Sequence, residues 1–189
     1  MSSSDSAETL PTRLGVLTPS SNTVLEPVLT GMVSGLTDVS LHFSRFPVTE
    51  ISLSSKGLGQ FEKEPMLFAA DLLGDARVAS MCWNGTSAGW LGFDRDRGLC
   101  AEISERTGTP ATSSVLALDQ LLRRRNIRRL AFVTPYTRDI QDRILGTFGS
   151  EGYDCVAERH VGECVNFAFA EVSLRRIAEM AREVSSARP

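Results

Sequence analysis

The sequence RLGVLTP at residues 13–19 decides the fold, because the chain repeats it as RLAFVTP at residues 129–135. Arg, Leu, Thr and Pro are the same in both copies, and the three residues between Leu and Thr are apolar or Gly. Each copy is typical of a short buried strand that ends in a polar loop. Two such units predict two similar lobes, with a cleft where the loops of the two lobes face each other.

Other segments of the chain alternate between strand and helix patterns. Short strands are predicted at residues 14–18, 39–46, 78–83, 110–112, 130–133 and 153–159, and helices from residue 23 onward and at 60–73, 94–106, 115–125, 138–149 and 172–184. Strands that alternate with helices indicate parallel sheets with helices packed on both faces. We therefore predict an α/β fold of two pseudo-symmetric lobes, each a parallel sheet flanked by helices.

The lobe boundaries follow from the position of the repeat. We expect the first lobe at residues 13–112 and the second at residues 113–189, after a disordered tail at residues 1–12 that is rich in Ser and acidic residues. The last predicted helix should be followed by a further strand of the second sheet. The second lobe is therefore expected to be incomplete at its C-terminus, with a sheet edge left exposed or covered by a partner.

Composition and charge argue against several classes of protein. The 189 residues are 42% hydrophobic, which suffices for a core, and the net charge of −3 gives no reason to expect nucleic acid or an anionic membrane as a partner. No apolar run approaches the ~20 residues that span a bilayer, and the N-terminus has no hydrophobic signal segment. We therefore expect a cytoplasmic protein whose four cysteines are reduced thiols.

The sequence lacks the usual fingerprints of cofactor, metal and hydrolase sites. There is no GxGxxG after the first predicted strand and no GxxxxGK motif, and the only histidines, His42 and His160, accompany no GxSxG elbow. The cysteines have no CxxC spacing, and no cluster of His, Cys or carboxylates suggests a metal. We expect neither a cofactor nor a metal.

Polar loops follow three of the predicted strands, at the sheet edge where ligands bind in parallel α/β folds. The loop at residues 84–87 combines Gly85, which lets a ligand approach the backbone, with the hydroxyls of Thr86 and Ser87 beside N–H groups. Such neutral donors suit a carboxylate or an enediolate, and one well-placed donor lowers a reaction barrier by roughly 3–4 kcal/mol. Taken alone, a loop of this composition is more often a simple turn.

Three further features have both a functional and a purely structural interpretation. The segment Ser20–Asn22 either offers donors to a ligand or caps the helix that follows. Tyr136 is either a site residue or a half-exposed surface side chain. Asn166 either faces a ligand or hydrogen-bonds within its own loop.

Residues 19–23, PSSNT, resemble the opening of the maleate cis–trans isomerases. These enzymes belong to the aspartate/glutamate racemase superfamily, with arylmalonate decarboxylase as a relative. Residues 131–136, AFVTPY, are similar to the strand and catalytic-loop Tyr of this group, and Asn166 matches a substrate-binding Asn. The resemblance, which runs from about Arg13 to the end of the chain, implies two pseudo-symmetric lobes, no cofactor, a homodimer, and a substrate carboxylate held by Asn22, Tyr136 and Asn166.

The chain departs from the superfamily pattern of two facing catalytic cysteines. Gly85 stands at the position of the first, and a Gly-Thr-Ser loop is similar to the decarboxylase branch, where it forms a dioxyanion hole. The offset between the two repeats puts the position of the second cysteine beyond Pro189. Cys82, inside a predicted strand, is expected to be a core thiol, and Cys164 is not expected to reach the cleft.

Two functions remain open from the sequence. The first is a cofactor-independent enzyme of the isomerase, racemase or decarboxylase kind, acting at the carbon next to a carboxylate of a small mono- or dicarboxylic acid. The alternative is a catalytically inactive carboxylate-binding or regulatory protein that lacks both cysteines. In either case the site is expected to consist of Ser21, Asn22, Gly85, Thr86, Ser87, Tyr136 and Asn166. In the enzyme, Thr86, Ser87 and Tyr136 are expected to take the catalytic roles.

Overall fold

A computed structural model describes residues 10–189 of the chain. Residues 1–9 of the predicted tail lie outside the described residues, and Thr12 already belongs to the first strand. The strands are β1 (Thr12–Pro19), β2 (Val39–Phe46), β3 (Ser80–Trp83), β4 (Ala111–Ser113), β5 (Arg129–Thr134) and β6 (Asp154–His160). The helices are α1 (Leu25–Val33), α2 (Ser55–Gly59), α3 (Lys63–Asp75), α4 (Ala88–Leu91), α5 (Phe93–Thr107), α6 (Ser114–Arg124), α7 (Arg138–Ser150) and α8 (Leu174–Ser185), with a 3-10 helix at Asn166–Glu171.

The first lobe is built on a parallel sheet with the strand order β2-β1-β3-β4. Strand β1 lies in the interior of this sheet, because it pairs with β2 along its whole length and with β3 on its other side. The last five residues of β1 are buried, as expected for a strand with helices packed nearby and neighbours on both edges. The first copy of the repeated motif is therefore the centre of this lobe.

The second lobe contains the parallel pair β5-β6, to which α7 and α8 are packed. The second copy of the motif forms β5, but its residues are half-buried apart from the exposed Arg129, in contrast to the buried end of β1. The reason is that β5 pairs with β6 on one edge and, within residues 10–189, with no strand on the other. The parallel α/β architecture predicted from the repeat is confirmed.

The two lobes share one hydrophobic core. Helix α4 of the first lobe packs on α7 of the second, and Phe93 meets Phe148 edge-to-face at 5.1 Å between ring centroids. Phe148 in turn contacts Phe132 of β5 at 4.8 Å, so a chain of aromatic rings runs from one lobe into the other. Because the lobes pack directly on each other, the width of the cleft between them is fixed.

Several boundaries differ from the prediction for local reasons. Helix α3 begins at Lys63 rather than residue 60. The preceding α2 has no counterpart among the predicted helices, although Ser54 caps it by accepting a hydrogen bond from the Gly57 N–H. Helix α4 was also missed, because only one turn separates Ser87 from Gly92, whose φ of +99° breaks the helix. Helix α5 ends at a C-cap formed by Gly108, whose φ is +68°.

Some apolar residues that define the predicted helices face solvent. Val24, Val28 and Met32 of the α1 region and Phe68 of α3 are exposed, and so is Leu174 of α8. No residue of α1 is fully buried. None of the helices between residues 10 and 189 has the length and apolar character needed to cross a membrane.

Candidate active site

A cavity of about 480 Å³ lies between the lobes, where the carboxyl ends of β1, β3 and β5 meet. Ligands bind at this edge in parallel α/β folds. Six of the seven predicted site residues line the cavity, namely Asn22, Gly85, Thr86, Ser87, Tyr136 and Asn166. Ser21 does not line it directly.

The lining of the cavity contains no charged side chain among the described residues. Its walls are mostly apolar and include Trp83, Trp90, Phe132, Phe148 and Phe169. An anion in this cavity would therefore be held by neutral hydrogen-bond donors rather than by a cation. Donors of this kind are strongest where apolar walls exclude water.

The loop after β3 is held in place at both ends. The Asn84 N–H donates to the Leu17 carbonyl of β1 at 3.1 Å, and the Asn84 side-chain oxygen accepts a hydrogen bond of 2.5 Å from the Ser114 hydroxyl. Ser87 is buried at the start of α4. The loop therefore presents Gly85, Thr86 and Ser87 to the cavity from a fixed position.

Gly85 lies against the indole of Trp83. A Cβ atom built at position 85 would overlap the six-membered ring of that indole, so any larger residue there requires Trp83 to move. Trp83 is itself fully buried and packs on Phe46 at 5.0 Å between ring centroids. In this structure, therefore, a side chain at position 85 has no room.

Tyr136 reaches across the cleft from the second lobe. Only 7% of its surface is exposed, so it is not a half-exposed surface residue, and its hydroxyl hydrogen-bonds that of Thr86. Burial raises the pKa of the Tyr136 phenol, although the hydrogen bond with Thr86 opposes this effect. The phenol is therefore protonated at neutral pH. Since each hydroxyl carries one proton and one is used between them, the pair keeps one proton to donate to a ligand.

Ser21 and Asn166 form a second link between the lobes. The Asn166 side-chain amide donates to the Ser21 hydroxyl at 2.8 Å, and that hydroxyl donates to the Val48 carbonyl at 2.6 Å. The Asn166 N–H also donates to the Thr49 carbonyl at 2.9 Å. Ser21 thus acts on the cavity through Asn166, which is buried in the cavity wall.

Asn22 caps the helix that follows it, which is the structural role considered for residues 20–22 in the sequence analysis. Its side-chain oxygen accepts hydrogen bonds from the Val24 and Leu25 N–H groups at 3.0 and 2.9 Å, which caps α1. Asn22 also lines the cavity. Because the oxygen is used by the helix, its amide N–H₂ is the group left to meet a ligand.

No cysteine of the described part of the chain lines the cavity. Cys82 lies within β3 but is only partly buried and does not belong to the hydrophobic core, so the expectation of a core thiol is not met; the burial that it has raises the pKa of its thiol. Cys164 lies in the loop before the 3-10 helix, and its carbonyl accepts a hydrogen bond from the Ile51 N–H. Between residues 10 and 189, no three His, Cys, Asp or Glu side chains are grouped closely enough to hold a metal ion.

Sequence reasoning missed the aromatic walls of the cavity. Trp83 and Trp90 flank the polar loop, at the end of β3 and inside α4. Their closeness in sequence to residues 84–87 was the signal from which they could have been predicted to line the site. Phe169 was less accessible to prediction, because it comes from the 3-10 helix and packs edge-to-face on Tyr136 at 5.5 Å between centroids.

Several solved structures share this fold. Nocardia farcinica maleate cis–trans isomerase, a cysteine-to-serine mutant with a covalently bound succinylcysteine intermediate, aligns with a TM-score of 0.83 at 22% identity, covering 93% of this chain and 74% of that chain. Maleate isomerase Iso from Pseudomonas putida S16, a cysteine-to-alanine mutant with maleate, gives 0.75 at 24% identity, covering 85% and 68%. A liganded double mutant of arylmalonate decarboxylase gives 0.76 at 20% identity, covering 95% and 74%.

No protein-family model matches the sequence, and a search of curated proteins finds no match either. The structural neighbours are therefore similar to this chain in fold. They are the group that the PSSNT and AFVTPY segments resemble, and the predicted fold is confirmed by them.

Proposed function

We propose that the cavity binds a small mono- or dicarboxylate and that the chain is a cofactor-independent enzyme of the isomerase, racemase or decarboxylase kind. The observation that carries this proposal is the hydrogen bond between Thr86 and Tyr136, which brings donors of both lobes together in an uncharged cavity. Thr86, Ser87 and Tyr136 would touch the reacting carboxylate. Asn22, Gly85 and Asn166 would bind the substrate, with Ser21 holding Asn166.

The proposed chemistry uses the carboxylate as an electron sink. When a bond from the adjacent carbon to hydrogen or to a second carboxyl group breaks, its electron pair moves onto the retained carboxylate and forms an enediolate. The hydroxyls of Thr86, Ser87 and Tyr136 would stabilise the charge that develops, each by roughly 3–4 kcal/mol when well placed. In decarboxylation the leaving group is carbon dioxide, and in exchange or racemisation the proton passes to solvent water. A proton from water then adds to the same carbon and completes the reaction.

Two features favour the decarboxylase-like version of this chemistry over the isomerase-like one. Addition of a thiolate to a double bond would need a cysteine at the cleft, and Trp83 occupies the space beside Gly85. The walls formed by Trp90, Phe132 and Phe148 suit a substrate with an apolar, aromatic body beside its carboxylate. An arylmalonate fits this description better than maleate does.

The alternative proposal is a carboxylate-binding or regulatory protein without turnover. It is supported by the cavity lining, in which no thiol stands among the described residues. The two proposals share the binding site and differ only in whether a proton reaches the carbon.

One pair of measurements tests both proposals. Calorimetric titration with phenylmalonate, phenylacetate and maleate measures binding, and proton NMR of phenylacetate in deuterium oxide measures exchange at the carbon next to the carboxylate. Binding together with exchange, or loss of carbon dioxide from phenylmalonate, supports the enzyme. Binding without either supports the alternative, and no binding of any of the three acids contradicts the carboxylate site itself.

A homodimer and a cytoplasmic location belong to the same proposal. The exposed apolar residues Val28 and Met32 of α1, together with Val24 just before the helix, are spaced four apart and form a stripe along one face. A stripe of this kind is suited to contact with a second copy of the chain. Sedimentation equilibrium of the wild-type protein and of Met32→Lys tests the dimer, which the charge in the stripe should weaken.

A further inference from the structure

A second, much smaller pocket lies behind the wall of the cavity. Its volume is about 10 Å³, and it shares Phe61, Trp83 and Ser87 with the cavity lining. Asp96 of α5 lines this pocket and does not line the cavity. Trp83 and Ser87 therefore separate the carboxyl group of Asp96 from the site where a ligand would bind.

Two buried polar atoms beside this pocket have no hydrogen-bond partner within the described residues. They are the Oδ2 atom of Asp96, a residue that is only 2% exposed, and the indole Nε1 of Trp83. A buried polar group without a partner costs about 1–3 kcal/mol. A single water needs roughly 10–15 Å³ of space and two to four polar partners, and this pocket offers the space together with an acceptor, a donor and the Ser87 hydroxyl.

We propose that one ordered water occupies this pocket, bound by the Asp96 carboxyl, the Trp83 indole N–H and the Ser87 hydroxyl, and that Asp96 acts through it as a positioning residue for Ser87. The part of this inference that concerns ligand binding rests on the proposed function. The water site itself does not depend on it.

The protonation of Asp96 would decide where the Ser87 proton points. Burial raises the pKa of Asp96 to about 6, against the opposing effects of the hydrogen bond from Ser113 and the charge of Arg95. A neutral Asp96 donates to the water, which then donates to the Ser87 oxygen and leaves the Ser87 proton free to face the cavity. An ionised Asp96 accepts from the water and leaves one of its lone pairs free, so the Ser87 hydroxyl is then able to donate to the water, away from the cavity.

The other charged and titratable groups around Asp96 do not replace it as the group that controls the direction of the Ser87 proton. Lys63 of α3 and Arg95 of α5, two basic side chains, line the same pocket. Cys82 of β3 and Cys100 of α5 are also near, but burial raises the pKa of both thiols, that of Cys100 to about 12. Asp96 is therefore the group of this cluster that changes charge near neutral pH.

The first test uses Trp83 as a reporter and needs no ligand. The chain has two tryptophans, so Trp90→Phe leaves Trp83 as its only indole. We expect its fluorescence to change with a midpoint near pH 6, and Asp96→Asn in the same background to abolish the transition. The proposal would be overturned if the Trp83 fluorescence of the Trp90→Phe protein did not change with pH, or if the change persisted after Asp96→Asn. A crystal structure of the wild-type protein should show the water, and an empty pocket would equally overturn it.

The second test separates the role of Ser87 from simple charge repulsion. The affinity for phenylacetate, which is mostly ionised above pH 5, should fall by up to about tenfold between pH 5 and pH 7, because the fraction of protein with a neutral Asp96 falls by that factor. Asp96→Asn should remove this dependence, and Ser87→Ala should remove it while keeping the fluorescence transition. A pH dependence that persists in Ser87→Ala would contradict the positioning role.

The same data keep this inference distinct from the proposed function. If phenylacetate fails to bind at any pH, the carboxylate site is wrong, and the fluorescence titration and the crystal structure still decide the water site. If Asp96→Asn does not fold, the wild-type titration and the wild-type crystal structure need no substitution at Asp96.

Discussion

The hydroxyls of Thr86 and Tyr136 hydrogen-bond each other across the cleft, although 50 residues separate them in the chain. Thr86 follows β3 of the first lobe, and Tyr136 follows β5 of the second. The contact joins the two polar loops at the point where the fold places a ligand. Each hydroxyl therefore contributes to the docking of the lobes as well as to the candidate site.

Tyr136→Phe should weaken both stability and ligand binding. The substitution removes one buried hydrogen bond, worth about 0.5–1.5 kcal/mol of unfolding free energy, and one donor to the ligand. Thr86→Val should cost a similar amount, and the double variant should cost less than the sum of the two. Urea denaturation and phenylacetate titration measure the two effects.

Tyr153→Phe is the matched control for this prediction. Tyr153, the only other tyrosine, donates to the Asp119 carboxylate at 2.6 Å, away from the cavity lining. We expect it to lower stability and leave ligand affinity unchanged. Equal losses of affinity in both tyrosine variants would show that the Thr86–Tyr136 pair has no special role in binding.

Gly85→Ala should destabilise the protein because the new methyl group overlaps the Trp83 indole. Overpacking of this kind costs about 1–3 kcal/mol. Trp83→Leu should make the alanine better tolerated, so the penalty for Gly85→Ala should be smaller in that background. Thermal unfolding of the four proteins measures the difference.

Gly98→Ala tests whether the loss at Gly85 is steric. Gly98 lies inside α5, and a Cβ atom there would meet nothing within 4 Å. In a helix interior, alanine should be neutral or stabilising by up to about 1 kcal/mol. If Gly98→Ala and Gly85→Ala have the same effect, crowding by Trp83 is not the reason.

The sequence was sufficient for the fold because the fold depends on local patterns. The bounds of β2, Val39–Phe46, were predicted to the residue, and the repeated motif located the first strand of each lobe. The burial of Tyr136 was harder to predict, because the residues that contact it, Thr86 and Phe169, are distant in sequence. No local pattern decides between a buried and a surface tyrosine at a loop.

The surroundings of the site were less predictable than its polar residues. Small polar residues after a strand of a parallel sheet lie at the edge where ligands bind, so Gly85, Thr86 and Ser87 could be proposed as site residues, although such a loop alone is more often a simple turn. Asp96 has the sequence context of a helix residue with solvent access, and only the packing of α5 against α3 and β4 buries it. The overlap between Trp83 and position 85 likewise depends on one rotamer.

Ser21→Ala should loosen the segment that carries Asn166. The substitution leaves the Asn166 amide without its partner, at a cost of about 1–3 kcal/mol for a buried donor. Amide hydrogen exchange at residues 163–171 should become faster while exchange in β1 and β3 stays slow. Ser34→Ala, which removes only an exposed hydrogen bond to the Gly31 carbonyl, serves as the control and should leave this segment unchanged.

The pH dependence of stability provides the last prediction. A carboxyl group whose pKa rises from 3.8 in the unfolded chain to about 6 in the folded protein binds more protons when folded between these values. Unfolding free energy should therefore decrease as pH rises through this window, by up to about 3 kcal/mol from Asp96. Asp96→Asn should remove this loss, so the variant should gain stability relative to wild type as pH rises from 4 to 7.

Other carboxyl groups contribute in the opposite direction and at lower pH. The pKa of Asp71 is lowered by its hydrogen bond with Arg106, and that of Glu163 by the backbone N–H groups it accepts, so both lose stabilising interactions as pH falls through their folded pKa values. The difference between wild type and Asp96→Asn, measured by urea denaturation at each pH, cancels these contributions. A difference that stays constant from pH 4 to pH 7 would mean that Asp96 titrates normally and that its burial leaves it in contact with water.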